Sequence, residues 1–92
     1  MSNHRFSIIN EDIVEKVIKN YSKPDKAQIK NSINELKKNG INHAQVESLL
    51  GFFAGAYKMK SGNYRIMFRI DHGSNEIKLL KIGPRENFYK RR

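Results

Sequence analysis

The chain has no cysteine. That excludes a disulfide framework and a thiolate metal site, and it is compatible with a reducing compartment. No apolar run approaches the roughly 20 residues that span a bilayer as a helix. The first ten residues, MSNHRFSIIN, have neither the basic region nor the apolar segment of a secretory signal. The expectation is a cytoplasmic protein with no membrane partner. His4, His43 and His72 are scattered without metal-ligand spacing, and there is no phosphate-binding glycine loop, nucleophile triad or zinc motif. No metal and no cofactor is therefore expected. Repeats, low-complexity segments and linkers are absent as well, so the 92 residues read as one domain with a limited core.

Acidic residues are scarce too. Eighteen Lys and Arg against nine Asp and Glu leave a net charge of +9. The imbalance is uneven: residues 1–53 hold eight basic and six acidic side chains, and residues 54–92 hold ten basic and three acidic. A surplus concentrated in one half points to a polyanionic partner, nucleic acid first. A merely solvated basic surface is the plainer alternative. Hydrophobic content of 38% suffices for a compact fold and argues against a mainly disordered chain.

The cationic half is organised around Ala56 to Ile70, AYKMKSGNYRIMFRI, which reads as two strands and a tight turn. Strand side chains alternate between faces. Tyr64, Ile66, Phe68 and Ile70 share one parity and suit the core; Arg65, Met67 and Arg69 share the other. Ser61-Gly62-Asn63 supplies the turn, with Gly62 free to take positive φ. In a simple register Lys58 and Lys60 join Arg65 on the open face, opposite Tyr57 and Met59. Paired cross-strand side chains lie about 4.5–5.5 Å apart at Cβ. Such a cation cluster is costly unless an anion occupies the face. Two plainer readings compete: Lys58 and Lys60 as solvated lysines protecting an edge, and Arg65 paired across strands with Glu76.

Upstream, Arg5 to Ile9 reads as a first strand. Asn10 is expected to cap a helix with Glu11 and Asp12 in its first turn and a stripe of Ile13, Val14, Val17, Ile18 and Tyr21. Pro24 suits the first turn of a second helix, buried through Ala27, Ile29, Ile33 and Leu36 and stopped at Gly40. Residues 43–50 could be one helical turn or two. Leu49, Leu50, Phe52 and Phe53 are expected to be partly buried. Downstream, Asp71 to Asn75 is a polar turn, Glu76 to Ile82 a strand ended by Gly83-Pro84, and Arg85 to Arg92 a short tail that could be helical. The order β-α-α-β-β-β predicts a small single α+β domain. Its mostly antiparallel twisted sheet carries a helical hairpin on one face and cations on the open one.

Two motifs at compatible spacing, YKMKSGNYRIMF and LLKIGPRENFY, resemble the RelE/ParE superfamily of bacterial toxins. The element order is similar over nearly the whole chain, and the specific likeness lies in residues 50–89. The resemblance implies the toxin of a type II toxin–antitoxin module. Its RelE-like branch cleaves mRNA, usually in the ribosomal A site and without a metal; its ParE-like branch shares the fold and poisons DNA gyrase. The residues that match the RNase branch are Lys58, Lys60, Arg65, Arg85 and Tyr89. Pro84 departs from the pattern, since many relatives carry histidine there; others rely on lysine, arginine and tyrosine.

Metal-free RNA cleavage needs a base for the 2′-OH, stabilisation of the phosphate as charge builds, and a proton for the 5′-oxygen. Arg65 offers a planar fork of donors and is the best phosphate clamp. Arg85 would clamp or support the leaving group. Like-charge crowding is a physical route to a neutral amine, and Lys60 is the preferred base. Tyr89 would stack a splayed base or orient the 2′-OH. Arg69, Lys78, Lys81, Lys90 and Arg91 are better placed to bind phosphates. The resemblance also implies mRNA and ribosome as partners, together with a cognate antitoxin that folds as it wraps the toxin. A gyrase inhibitor and a non-catalytic RNA-binding relative are the competing functions.

Overall fold

A computed structural model describes residues 5–42, 46–49, 55–86 and 88. The apolar parity of the hairpin builds the core. Strand β3 (Tyr57–Ser61) pairs antiparallel with β4 (Tyr64–Asp71) from Tyr57 opposite Phe68 to Ser61 opposite Tyr64. The turn is two residues, Gly62-Asn63, with positive φ at Gly62 alone, the pattern of a type II′ turn. Ser61, expected in the turn, is instead the last paired residue. It is buried, and its hydroxyl shares a 2.6 Å hydrogen bond with that of Ser32.

Helix α1 (Asp12–Ile18) and helix α2 (Lys23–Asn39) lie on the core face as an antiparallel pair. Lys37 meets Glu11 at 2.7 Å and Lys30 meets Glu15 at 3.2 Å, so the C-terminal half of α2 runs beside the start of α1. Val14, Ile18, Ile29, Ile33 and Leu36 pack on Met59, Ile66, Phe68, Ile77, Leu79 and Ile82. Two expected core members are exposed. Ala27 lies about 200° around the helix from Ile29, at 100° per residue, and Val17 sits at the margin of a stripe too wide for a two-turn helix to bury.

Ser22 caps α2 by accepting from the Asp25 N–H at 3.3 Å. Gly40 ends it with φ +55°; a Cβ there would lie 2.6 Å from the Phe6 ring, so both the conformation and the close approach require glycine. Asn10 does not cap α1. Its amide instead donates to the Leu79 carbonyl (2.8 Å) and accepts from the Leu79 N–H (2.9 Å), prolonging the pairing of β1 (Ser7–Ile8) with β5 (Glu76–Pro84). An amide side chain satisfies two buried backbone groups there, where capping would satisfy one donor.

The described residues form a five-stranded sheet in the order β1-β5-β4-β3-β2, antiparallel except for β1 beside β5. This is the expected α+β architecture with one strand more. Val46–Ser48, within a stretch read as helical, forms β2, because the outer edge of β3 offers unpaired backbone groups that a one-turn helix could not satisfy. β5 runs through Gly83 and Pro84 instead of stopping before them. A bulge between the Phe68–Leu79 and Met67–Lys81 pairs shifts its phase, so that Leu79 and Ile82 both reach the core. Of the tail from Arg85 to Arg92, only Arg85, Glu86 and Phe88 are described; Leu50, Phe52 and Phe53 lie outside the described residues.

Candidate functional site

The register sorts the open face into three rows. Lys60, Arg65 and Gly83 stand side by side on β3, β4 and β5. Lys58, Met67 and Lys81 form the next row, and Arg69 and Lys78 the last. Rows are about 6.6–6.8 Å apart, two residues along a strand. Lys58, Lys60 and Arg65, expected together on this face, do share it, and Arg69, Lys78 and Lys81 lie on it as well. Lys81 joins them only through the bulge in β5, since strict alternation from Lys78 would have turned it toward the helices.

Arg65 is held before any ligand arrives. Its Nη1 donates to the Tyr64 carbonyl at 2.7 Å and to the Gly62 carbonyl at 3.0 Å. These bonds fix the guanidinium plane at the hairpin turn and leave the other nitrogens for an anion. The competing reading, a pairing with Glu76, does not occur: Glu76 stands opposite Asp71, at the far end of the sheet. Arg85 reaches the same turn through its backbone, whose N–H donates to the Asn63 carbonyl at 2.8 Å. A cleft beside it is lined by Asn63, Tyr64, Pro84, Arg85 and Glu86. Lys60 is exposed between this end of the face and a groove lined by Gln28, Asn31, Ser32 and Ser61.

Lys58 is not a bare cation. Glu47 of β2 stands opposite it and meets it at 3.6 Å, a contact hidden from the sequence while residues 43–50 read as helical. At the far end Arg69 lies over Gly55, where a Cβ would come within 2.8 Å of its Nη1. Tyr89, Lys90 and Arg91 lie outside the described residues. Among the described residues no three His, Asp or Glu side chains gather as metal ligands.

The open face also carries an apolar cluster that sequence reasoning missed. Ala56, Met67 and Phe88 are buried on it with Leu49 against them, and Phe88 is only 2% exposed. The single signal was Met67, an apolar side chain in the arginine parity. On the opposite side Tyr64 donates its hydroxyl to Asp25 at 2.7 Å and stacks on Tyr21 with ring centroids 4.8 Å apart. The carboxylate hydrogen bond, then burial and the Asp25 charge, raise the Tyr64 phenol above its usual range; burial and then Asp25 do the same at Tyr21. These tyrosines brace the helices against the hairpin end that carries Arg65.

Residues 8–92 match the family model described as ParE-like toxin of type II bacterial toxin-antitoxin system. No curated protein matches the chain in sequence. Among solved structures, the chain is similar to an archaeal RelE–RelB complex from Pyrococcus horikoshii, at 22% identity and a TM-score of 0.68 over 91% of this chain and 97% of that one. A YoeB/ParE toxin from Agrobacterium tumefaciens is similar at 14% identity, TM-score 0.66, over 86% and 95% of the two chains. The YoeB–YefM complex from Staphylococcus aureus follows at 16% identity, TM-score 0.64, over 89% and 97%. At these identities the shared property is the fold. No helix among the described residues is long and apolar enough to cross a membrane.

Proposed function

Since the chain belongs to the ParE-like toxins of type II bacterial toxin–antitoxin systems, we propose that it arrests growth by cutting mRNA on the ribosome with its cationic face. The observation that carries this reading is the Lys60–Arg65 cross-strand pair, with Arg65 pre-oriented by two carbonyls and Arg85 pinned at the same turn. A gyrase-binding toxin has no evident use for a braced guanidinium among cations.

In this reading the Lys60 amine takes the 2′-OH proton as the 2′-oxygen attacks the adjacent phosphorus. The bond to the 5′-oxygen breaks, leaving a cyclic phosphate on one fragment, and the departing oxygen takes a proton from water to become a 5′-hydroxyl on the other. Arg65 binds the phosphate oxygens as charge accumulates, in a geometry set beforehand, which is the condition for electrostatic stabilisation to be large. Arg85 hydrogen-bonds the departing oxygen, and Tyr89 stacks or orients the nucleotide. Lys58, partly neutralised by Glu47, contributes field more than contact. Arg69, Lys78, Lys90 and Arg91 hold flanking phosphates of the message or of ribosomal RNA. Chemistry of this kind calls for neither metal nor cofactor. A cognate antitoxin partner goes with the reading, supported by the RelE–RelB and YoeB–YefM complexes among the similar folds, and the reading places the protein in the cytoplasm, where its message is translated.

Primer extension on cellular mRNAs after brief induction tests the proposal, comparing the chain with Arg65→Ala. New 5′ ends inside translated codons, absent in the variant, are expected. The family description favours a second reading, gyrase poisoning. Growth arrest without new RNA ends, accompanied by cleaved DNA–gyrase complexes, would establish that reading instead.

A further inference from the structure

The turn after β5 is fastened at both ends. At its start the Arg85 N–H donates to the Asn63 carbonyl at 2.8 Å. At its end Phe88 enters the apolar cluster on the open face and its N–H reaches back to the Arg85 carbonyl at 3.4 Å. The Phe88 ring lies over Gly83, where a Cβ would meet it at 3.6 Å in ordinary contact. Lys81 closes the arrangement. Its ammonium donates to the Phe88 carbonyl and stands 4.7 Å from the centre of the Phe88 ring. Lys81 thus has its head group tied to the described part of the tail segment.

We propose that Lys81 and Phe88 are positioning residues: together they hold the turn bearing Arg85 against the hairpin end, and Lys81 acts through the Phe88 carbonyl and not on RNA phosphate. This replaces the sequence-based expectation that Lys81 binds phosphate alongside Lys78. Only its effect on cleavage rate rests on the RNase reading; the fastening of the turn is independent of it.

The test uses Lys81→Met, which keeps the length of the stem and removes the donors, beside Lys78→Met and Lys81→Arg in the full chain. A non-cleavable single-stranded RNA, 2′-O-methylated throughout, probes binding. Each phosphate contact contributes about 0.7 to the slope of log affinity on log salt, or about 2.6-fold between 50 and 200 mM. Lys78→Met should lose that amount, whereas Lys81→Met should keep the wild-type slope. Hydrogen exchange at the Arg85 amide should accelerate about tenfold in Lys81→Met, the loss of roughly one tethering bond, and return toward wild type in Lys81→Arg. On cleavable message Lys81→Met should lower kcat with KM unchanged, the mark of a displaced group and not a lost binding contact. A reduced salt slope in Lys81→Met with unaltered Arg85 exchange would overturn the proposal. If no version cuts RNA, the RNase reading fails, while amide exchange still decides whether Lys81 holds the turn.

Discussion

Arg65 has two readings that a single substitution separates. It is either the phosphate clamp or a brace for the hairpin turn, since its Nη1 already serves the Gly62 and Tyr64 carbonyls. In Arg65→Lys the charge stays and the fork goes. An ammonium on a shorter stem can hold one of those carbonyls or reach a phosphate, and it presents no second edge in a fixed plane. The two carbonyl bonds are worth about 1 kcal/mol each. Keeping one of them means a loss of about 1 kcal/mol, which for a domain of this size is about 4–8 °C in Tm. Loss of one preorganised donor to developing charge lowers a rate by about 10²–10³. The expected result is thus a folded protein, slightly less stable, whose single-turnover cleavage of ribosome-bound message falls by roughly 10² or more. Circular dichroism melting and timed primer extension measure the two quantities separately. Cleavage within about threefold of wild type, far below the range for a lost donor, would refute the clamp and leave Arg65 as a turn brace.

Three further outcomes follow from the fold. Asn10→Ala removes both bonds to Leu79 and should cost about 2 kcal/mol at about 1 per bond, read as a lower urea midpoint at constant slope; an unchanged midpoint would show that Asn10 is not part of the sheet. Gly62→Ala should cost about 1–2 kcal/mol because φ is +59°, and Gln28→Ala should not rescue it, although the added Cβ would meet the Gln28 amide, because that exposed side chain can swing away; rescue would mean that the clash and not the backbone is responsible. Tyr64 should ionise later than a free tyrosine, chiefly through its bond to the Asp25 carboxylate. The folded state then favours the neutral phenol, so this contribution to stability is complete below about pH 10 and is lost as pH rises through the higher folded value. Phenolate absorbance should lose one of its two late components in Tyr64→Phe, the Tyr21 component remaining through burial, and the Tyr64 component should shift downward in Asp25→Asn; an unperturbed titration would contradict the hydrogen bond.

Much of this was legible in the chain. Alternation in YKMKSGNYRIMF separated Lys58, Lys60 and Arg65 from Met59, Ile66 and Phe68, and the structure keeps that separation. Pro24 and Gly40 marked the limits of the second helix. Asn10 misled because the same short amide that caps a helix also mimics a strand backbone, and the neighbour that decides between them, Leu79, is 69 residues away. β2 was hidden for a similar reason. Three residues carry no usable periodicity, and their strand conformation is a response to the open edge of β3.

The sequence by itself determined which side chains share a face within one element, because strand and helix geometry convert spacing directly into direction. It also determined the sign and uneven distribution of charge, and through its motifs the family. Tertiary structure decided how faces combine between elements. The bulge in β5 turns Lys81 outward and Ile82 inward. Glu47 comes to stand beside Lys58, and Phe88 folds over Met67 in the middle of a face that composition alone would make purely cationic. Each of these depends on pairing register and long-range burial, which are set by the free energy of the whole sheet and leave no mark in any short window of residues.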